Sequence, residues 1–286
     1  MNVLFCTDGS KISYNSIINF SFWVKDFSLD ILSVVDWSCL PDSISIENSE
    51  FASQCSTSAN VILDYAETYL KEMGLNVAQK IKICGEAVDT ILDLVDSGKY
   101  DFVVLGSHGK KGIQKWLGSV SQEVASSANI SSSYISKNIN NRKKVLFAVD
   151  NSELSAKVVL NSLNFLNLED KEIYLATVYE VPDYLFLEGN VDSTWILEIE
   201  KKQEQASRLL LNSFEKSFIE KGLEVKDKLI FRGVPSQEII NFSNKKDIDL
   251  VVTGIRTRKH LSKFLLGSVS KRILENVKSD VLIVHP

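Results

Sequence analysis

Gly106 and Gly109 close the apolar run Val103-Val104-Leu105, and Gly118-Ser119 then opens a further stretch with helical spacing. Glycine lets an anion approach the main chain with no side chain in the way, and the NH groups at a helix N-terminus favour negative charge. This set of residues suits a phosphate. Asp8, which follows the apolar run Val3-Leu4-Phe5, adds a carboxylate able to accept hydrogen bonds from a ribose or an amine. Together they divide the work of holding a nucleotide. Taken singly, each fragment also has a plain architectural use, as a turn or as a helix cap.

The same residues recur. Val3-Leu4-Phe5-Cys6-Thr7-Asp8-Gly9-Ser10 returns as Val145-Leu146-Phe147-Ala148-Val149-Asp150-Asn151-Ser152, and the glycine region returns as Val251-Val252-Thr253-Gly254 through Gly267-Ser268-Val269-Ser270. Gly74-Leu75 and Gly222-Leu223 lie between these anchors in the same order. The chain is therefore a duplication. The offset is 142 from Asp8 to Asp150 and 148 from Gly106 to Gly254, so the second copy is longer by about six residues, placed between positions 36 and 60, where a loop would absorb them. The polar stretch Lys137 to Arg142 joins the copies, which divides the chain into domains 1–140 and 141–286.

Within the first copy, Val3–Phe5, Ile31–Val35, Val77–Ile83 and Phe102–Leu105 read as strands. Helical spacing links Tyr14, Ile18 and Phe22, then Leu63, Ala66, Leu70 and Met73, then Val88, Ile91 and Val95. Gly74 and Gly222, each followed by Leu, are expected to end helices. The second copy closes on a strand, Val281–Val284; its counterpart in the first, Ser132 to Ser136, has little apolar material. Strands alternating with helices predict a parallel sheet covered on both faces, with the ligand crevice outside the carboxyl ends of the strands. The Ser-rich segment from Ser38 to Ser58 is expected to be a long loop.

Composition narrows the function. The 286 residues are 44% hydrophobic and 24% charged, enough for two folded cores. A net charge of -5 argues against nucleic acid, whose phosphates call for a surplus of Lys and Arg on one face. No apolar run approaches the roughly 18 to 20 residues of a membrane helix, and the N-terminus begins directly with strand-like residues, so no membrane partner and a cytoplasmic location are expected. Cys6, Cys39, Cys55 and Cys84 lack metal-ligand spacing, and Cys6 and Cys84, at strand ends, are expected to be reduced and to pack as small hydrophobes. No metal site is expected. His260 and His285 read as ordinary surface or terminal residues.

Strand-Asp-x-Ser at the start of each copy, Gly-x-x-Gly followed by Gly-Ser near its end, and the closing Val-Leu-Ile-Val strand resemble the universal stress protein family, over essentially the whole chain. The resemblance implies two tandem α/β sandwich domains, each with five parallel strands in the order 3-2-1-4-5. It also implies an adenine nucleotide, ATP with or without Mg2+, as ligand, and a stress-response role exercised through a protein partner whose identity the resemblance leaves open. By the same resemblance, the adenine and ribose contacts fall on Asp8, Val34 and Gly106 in domain 1 and on Asp150, Val178 and Gly254 in domain 2. The phosphate contacts fall on Gly109, Gly118, Ser119, Val120 and Ser121, and on Gly267, Ser268, Val269 and Ser270. His108, inside the first turn, could donate to the ligand, and Arg256 could add positive charge in the second. Each copy departs from the family spacing G-x2-G-x9-G-[ST]: domain 1 has eight residues in place of nine, and domain 2 has Thr257 at the second glycine.

No Walker-type G-x4-G-K-[ST] and no G-x-S-x-G nucleophile elbow occurs, so a non-enzyme is expected, with at most slow incidental hydrolysis of bound ATP. The alternative is a scaffold with degenerate pockets that acts through protein contacts. Because family dimers pair through their fifth strands, either a homodimer or a monomer whose two domains form a pseudo-dimer is expected, the latter joining Val281–Val284 to Tyr134–Ser136.

Overall fold

The computed structural model describes residues 1–35, 49–107, 118–128, 130, 132–137, 141–181, 193–255 and 266–285, with side chains described from residue 57 and from residue 194 in the segments that begin at 49 and 193. In domain 1 the elements run β1 (Asn2–Cys6), α1 (Lys11–Trp23), β2 (Ser28–Val35), α2 (Ser49–Glu72), β3 (Val77–Cys84), α3 (Ala87–Asp96), β4 (Phe102–Gly106), α4 (Ser119–Ser127) and β5 (Ser132–Ser136). Domain 2 follows as β6 (Lys144–Ala148), α5 (Glu153–Phe165), β7 (Glu172–Tyr179), α6 (Ser193–Glu220), β8 (Val225–Arg232), α7 (Pro235–Lys246), β9 (Leu250–Gly254), α8 (Ser268–Asn276) and β10 (Asp280–Val284).

All ten strands join one sheet in the order β3-β2-β1-β4-β5-β10-β9-β6-β7-β8. Each half has the expected order 3-2-1-4-5 with parallel pairing, and the halves meet where β5 and β10 run antiparallel. Central strands are apolar throughout because both faces are covered. Val3 and Phe5 point into one core with α1, α2, α5 and α6, while Leu4 points into the other with α3, α4, α7 and α8. The outer strands are different. β3 carries Lys80 and Lys82 and β8 carries Lys226 and Lys228, charges that oppose further strand addition at the two open edges. Lys80 reaches Asp64 and Glu67 on α2, and Lys228 reaches Glu215 on α6.

The two glycine caps form as the spacing predicts. Gly74 and Gly222 have φ of 82° and 73°, and the NH groups of Leu75 and Leu223 donate to Leu70 O and Phe218 O. Other details differ. α1 buries Tyr14, Ile17 and Phe20 rather than Tyr14, Ile18 and Phe22, and Phe22 is exposed with the Arg142 guanidinium 4.0 Å from its ring centre. Met73, at the end of the predicted α2 stripe, is likewise exposed. Residues 49 to 58, expected within a loop, belong to α2. His285, expected at the surface, is buried beyond the last strand, and burial pushes its pKa down to about 4. Cys84 is disulfide-bonded rather than reduced, a pairing set by proximity in space that linear spacing does not reveal; Cys6 is a free thiol.

Candidate functional site

In each domain the first and fourth strands are neighbours. β1 pairs with β4 through Phe5 and Val104, and β6 pairs with β9 through Phe147 and Val252. The order of strand addition reverses across that parallel pair: the first crossovers extend the sheet to one side of the first strand, and a later one returns to its other side. The carboxyl ends of these strands therefore form the rim where a ligand can enter between helices of opposite faces.

On the domain 1 rim, the chain leaves β1 through Thr7, whose NH still donates to Leu32 O of β2, and turns at Gly9 with φ of 77°. Glycine is the residue suited to that left-handed turn. Ser10 caps α1, accepting from Ser13 N at 3.2 Å, and Asp8 Oδ1 accepts from Ser10 N at 3.0 Å. Ser13 Oγ donates to Ser10 O at 2.8 Å and lies 2.8 Å from the buried Thr7 hydroxyl.

Gly106 ends β4 directly above this turn. A Cβ at Gly106 would lie 3.2 Å from both Ser13 N and Ser13 Cα, so any side chain there would press on the α1 backbone, and glycine suits the close passage of α1 over the strand end. From the other face, Ser121 Oγ donates to Gly106 O at 2.6 Å, and Gly118 N donates to Ser107 O at 2.6 Å. Strand end and helix start are thus tied together across the intervening segment. Gly118 is the N-cap of α4 and, among the described residues, makes no side-chain cap hydrogen bond; the first-turn NH groups of Ser119 and Val120 point towards this rim as donors do at a helix N-terminus. Val34, near the end of β2, is partly buried beside this rim. The structure therefore gathers Asp8, Val34, Gly106, Gly118, Ser119, Val120 and Ser121 at one end of the sheet. His108 and Gly109 lie outside the described residues.

Domain 2 repeats the frame with different wiring. Ser152 caps α5, accepting from Ser155 N at 3.1 Å, and Ser270 Oγ ties α8 to Gly254 O at 2.6 Å. Gly254 is small for another reason: a Cβ there would meet Val158 Cγ2 at 2.8 Å. Asp150 Oδ1 accepts from Ser152 N, from the Ser152 hydroxyl and from Ser155 Oγ, the last at 2.6 Å. Gly267 caps α8 without a side-chain hydrogen bond, Ser268 is exposed, and Val178 and Val269 pack at the rim of the core. Arg256 and Thr257 lie outside the described residues.

Ser13, Ser155 and Thr7 were not among the expected site residues, although the spacing Asp-x-Ser-x-x-Ser occurs in both copies and could have signalled the two serines. Because β5 and β10 are antiparallel, the two rims face opposite ends of the sheet, so no ligand can bridge them. Among the described residues, no group of three or more His, Cys, Asp or Glu side chains could hold a metal ion, and no helix is long and apolar enough to cross a membrane.

Comparison with known proteins agrees with this architecture. A universal stress protein of Methanocaldococcus jannaschii is 30% identical over 142 residues, which is 50% of this chain and 81% of the relative. The universal stress protein YxiE of Bacillus subtilis is 28% identical over 146 residues, 50% of this chain and 98% of its own. Among solved structures, a universal stress protein from Archaeoglobus fulgidus superposes with a TM-score of 0.69 at 18% identity, covering 99% of this chain and 98% of the other, a likeness of fold. The Usp family model, described as the universal stress protein family, matches residues 1–132 and again 141–285. With both halves matched and the duplicated sheet in place, the chain belongs to the universal stress protein family as a tandem, two-domain member.

Proposed function

We propose that this stress-family protein binds an adenine nucleotide, ATP foremost, on the domain 1 rim, and that occupancy of the rim regulates a protein contact. The observation that carries this reading is the closure of α4 onto the end of β4. Gly118 N and Ser121 Oγ are held by Ser107 O and Gly106 O, which fixes the start of α4 beside the Asp8 turn. Phosphates fit the first-turn NH groups and the ribose fits the carboxylate.

The protein acts as a binder rather than an enzyme. Phosphoryl transfer calls for a positioned base and a cationic clamp on the transferred group, and the sequence carries no Walker-type G-x4-G-K-[ST] to supply the clamp. Domain 2 is the weaker site, because Thr257 stands where the family spacing has its second glycine.

Thermal unfolding of the full chain with ATP and Mg2+ tests the proposal. A ligand at one hundred times its Kd stabilises by about 2.7 kcal/mol, a clear rise in Tm. An unchanged Tm at millimolar ATP, together with purified protein free of nucleotide, overturns it and favours a scaffold that works through protein contacts alone.

A further inference from the structure

The seam between the domains contains a buried carboxylate. Asp280 begins β10 and is 1% exposed. It belongs to domain 2, yet four of its donors come from domain 1. Tyr134 Oη donates to Oδ2 at 2.6 Å, Ser136 Oγ to Oδ1 at 3.0 Å, Lys137 N to Oδ1 at 2.7 Å and Asn19 Nδ2 to Oδ2 at 3.3 Å. Asn19 is held in turn by Arg142, whose Nε and Nη2 donate to Asn19 Oδ1 at 3.0 and 2.9 Å. Lys137 Nζ reaches onward to the carbonyls of Leu274 and Val277 at the end of α8.

The donors are not shared by the other copy. At the offset of 148, Tyr134 corresponds to Leu282, Ser136 to Val284 and Ser132 to Asp280; at the offset of 142, Asn19 corresponds to Asn161. The seam pairs Leu282 with Tyr134 and Val284 with Ser132. Were β10 instead to pair with β10 of a second chain in the equivalent register, Asp280 would face Val284 and Leu282. Of four donors, only the amide of Asn161 and one backbone NH would have counterparts. Pairing β5 with β5 would bring two Tyr134 hydroxyls together without a carboxylate. A buried charge that loses its partners costs several kcal/mol, so either like pairing is penalised.

We infer that Asp280 and the Tyr134–Ser136–Asn19 donor set form a complementary lock that pairs domain 2 with domain 1 of the same chain and rejects a second copy through the same strands. Tyr134 and Ser136, two of the polar residues that make β5 look too polar for a sheet interior, are half of this lock. The inference does not depend on nucleotide binding.

A matched-pair exchange in the full chain tests it, read by hydrogen exchange of the β5 and β10 amides and by mass in solution. Tyr134→Leu with Ser136→Val leaves Asp280 without two donors and should speed exchange about 100-fold or more. Adding Asp280→Val, which makes both strands apolar, should recover most of the protection and allow concentration-dependent dimers that the parent lacks. Protection unchanged in the first variant, no recovery in the second, or a parent chain that dimerises through β5 or β10 overturns the lock. If the multiple variants do not fold, Tyr134→Phe serves instead. It should speed exchange about tenfold in the parent and have no such effect in an Asp280→Val background, which has no acceptor for the Tyr134 hydroxyl; equal effects in both backgrounds contradict the inference.

Discussion

At the end of the first strand of each domain, the same Asp-x-Ser-x-x-Ser turn is wired in two ways. In domain 1 the Ser13 hydroxyl bonds Ser10 O and Thr7, while in domain 2 the equivalent Ser155 hydroxyl goes to Asp150. One residue accounts for the difference. Thr7 offers a hydroxyl inside the turn and its counterpart Val149 does not, so Ser155 turns to the carboxylate. The comparison teaches that a duplicated motif can keep its spacing while an inward-facing neighbour decides how its aspartate is used. The close passage at the fourth strand differs similarly: at Gly106 the obstacle is the backbone of α1, and at Gly254 it is a side chain.

Several measurements break or sharpen this contrast, beginning with the largest effect. His285 stands at the position of Lys137 in the duplicated frame, and burial holds it neutral with a pKa of about 4, below the ordinary 6.5. A depressed histidine pKa means that the unfolded chain binds the extra proton. Stability is therefore full above about pH 6.5 and falls as pH drops towards 4, by up to about 3 kcal/mol. Urea unfolding of His285→Phe against the parent should show a flatter profile between pH 7 and pH 4; identical slopes would mean that His285 is not the group responsible.

Gly106→Ala should cost about 1 to 3 kcal/mol, because the α1 backbone has no easy way to retreat from the new methyl group. Gly254→Ala should cost a similar amount but be partly rescued by Val158→Ala, which no substitution at Ser13 can match for Gly106→Ala. Chemical denaturation of the four variants checks this, and equal rescue in both domains would remove the distinction. The smallest effect is expected from Ser155→Ala, about 1 kcal/mol for the lost hydrogen bond. In an Asp8→Ala background it should restore a weak ATP-induced rise in Tm by relieving Asp150 of one of its three serine donors. No rise would assign the weakness of domain 2 to Thr257 alone.

Much of the fold was legible in the residues. The glycine caps at Gly74 and Gly222, the apolar central strands and the order of elements all follow from local chemistry that recurs at fixed offsets. The phase of α1 did not, because Phe22 is turned outward to meet Arg142, a residue 120 positions away. β5 looked weak because its Tyr134 and Ser136 find their acceptor in Asp280 of the other domain, which no local window contains. His285 looked terminal because its burial is set by tertiary packing, which its position in the chain does not reveal. At the candidate site, the Asp8 and Gly106 positions were readable as a pair, whereas Thr7 and Ser13 were not. Their importance lies in which of two acceptors a hydroxyl chooses, and that is decided in three dimensions.

The central claim is that domain 1 carries the nucleotide site. Calorimetric titration of the full chain with ATP and Mg2+, repeated on Asp8→Ala and Asp150→Ala, tests it most directly. The account predicts one equivalent bound per chain, lost with Asp8→Ala and retained with Asp150→Ala. Binding that survives Asp8→Ala and disappears with Asp150→Ala would contradict it.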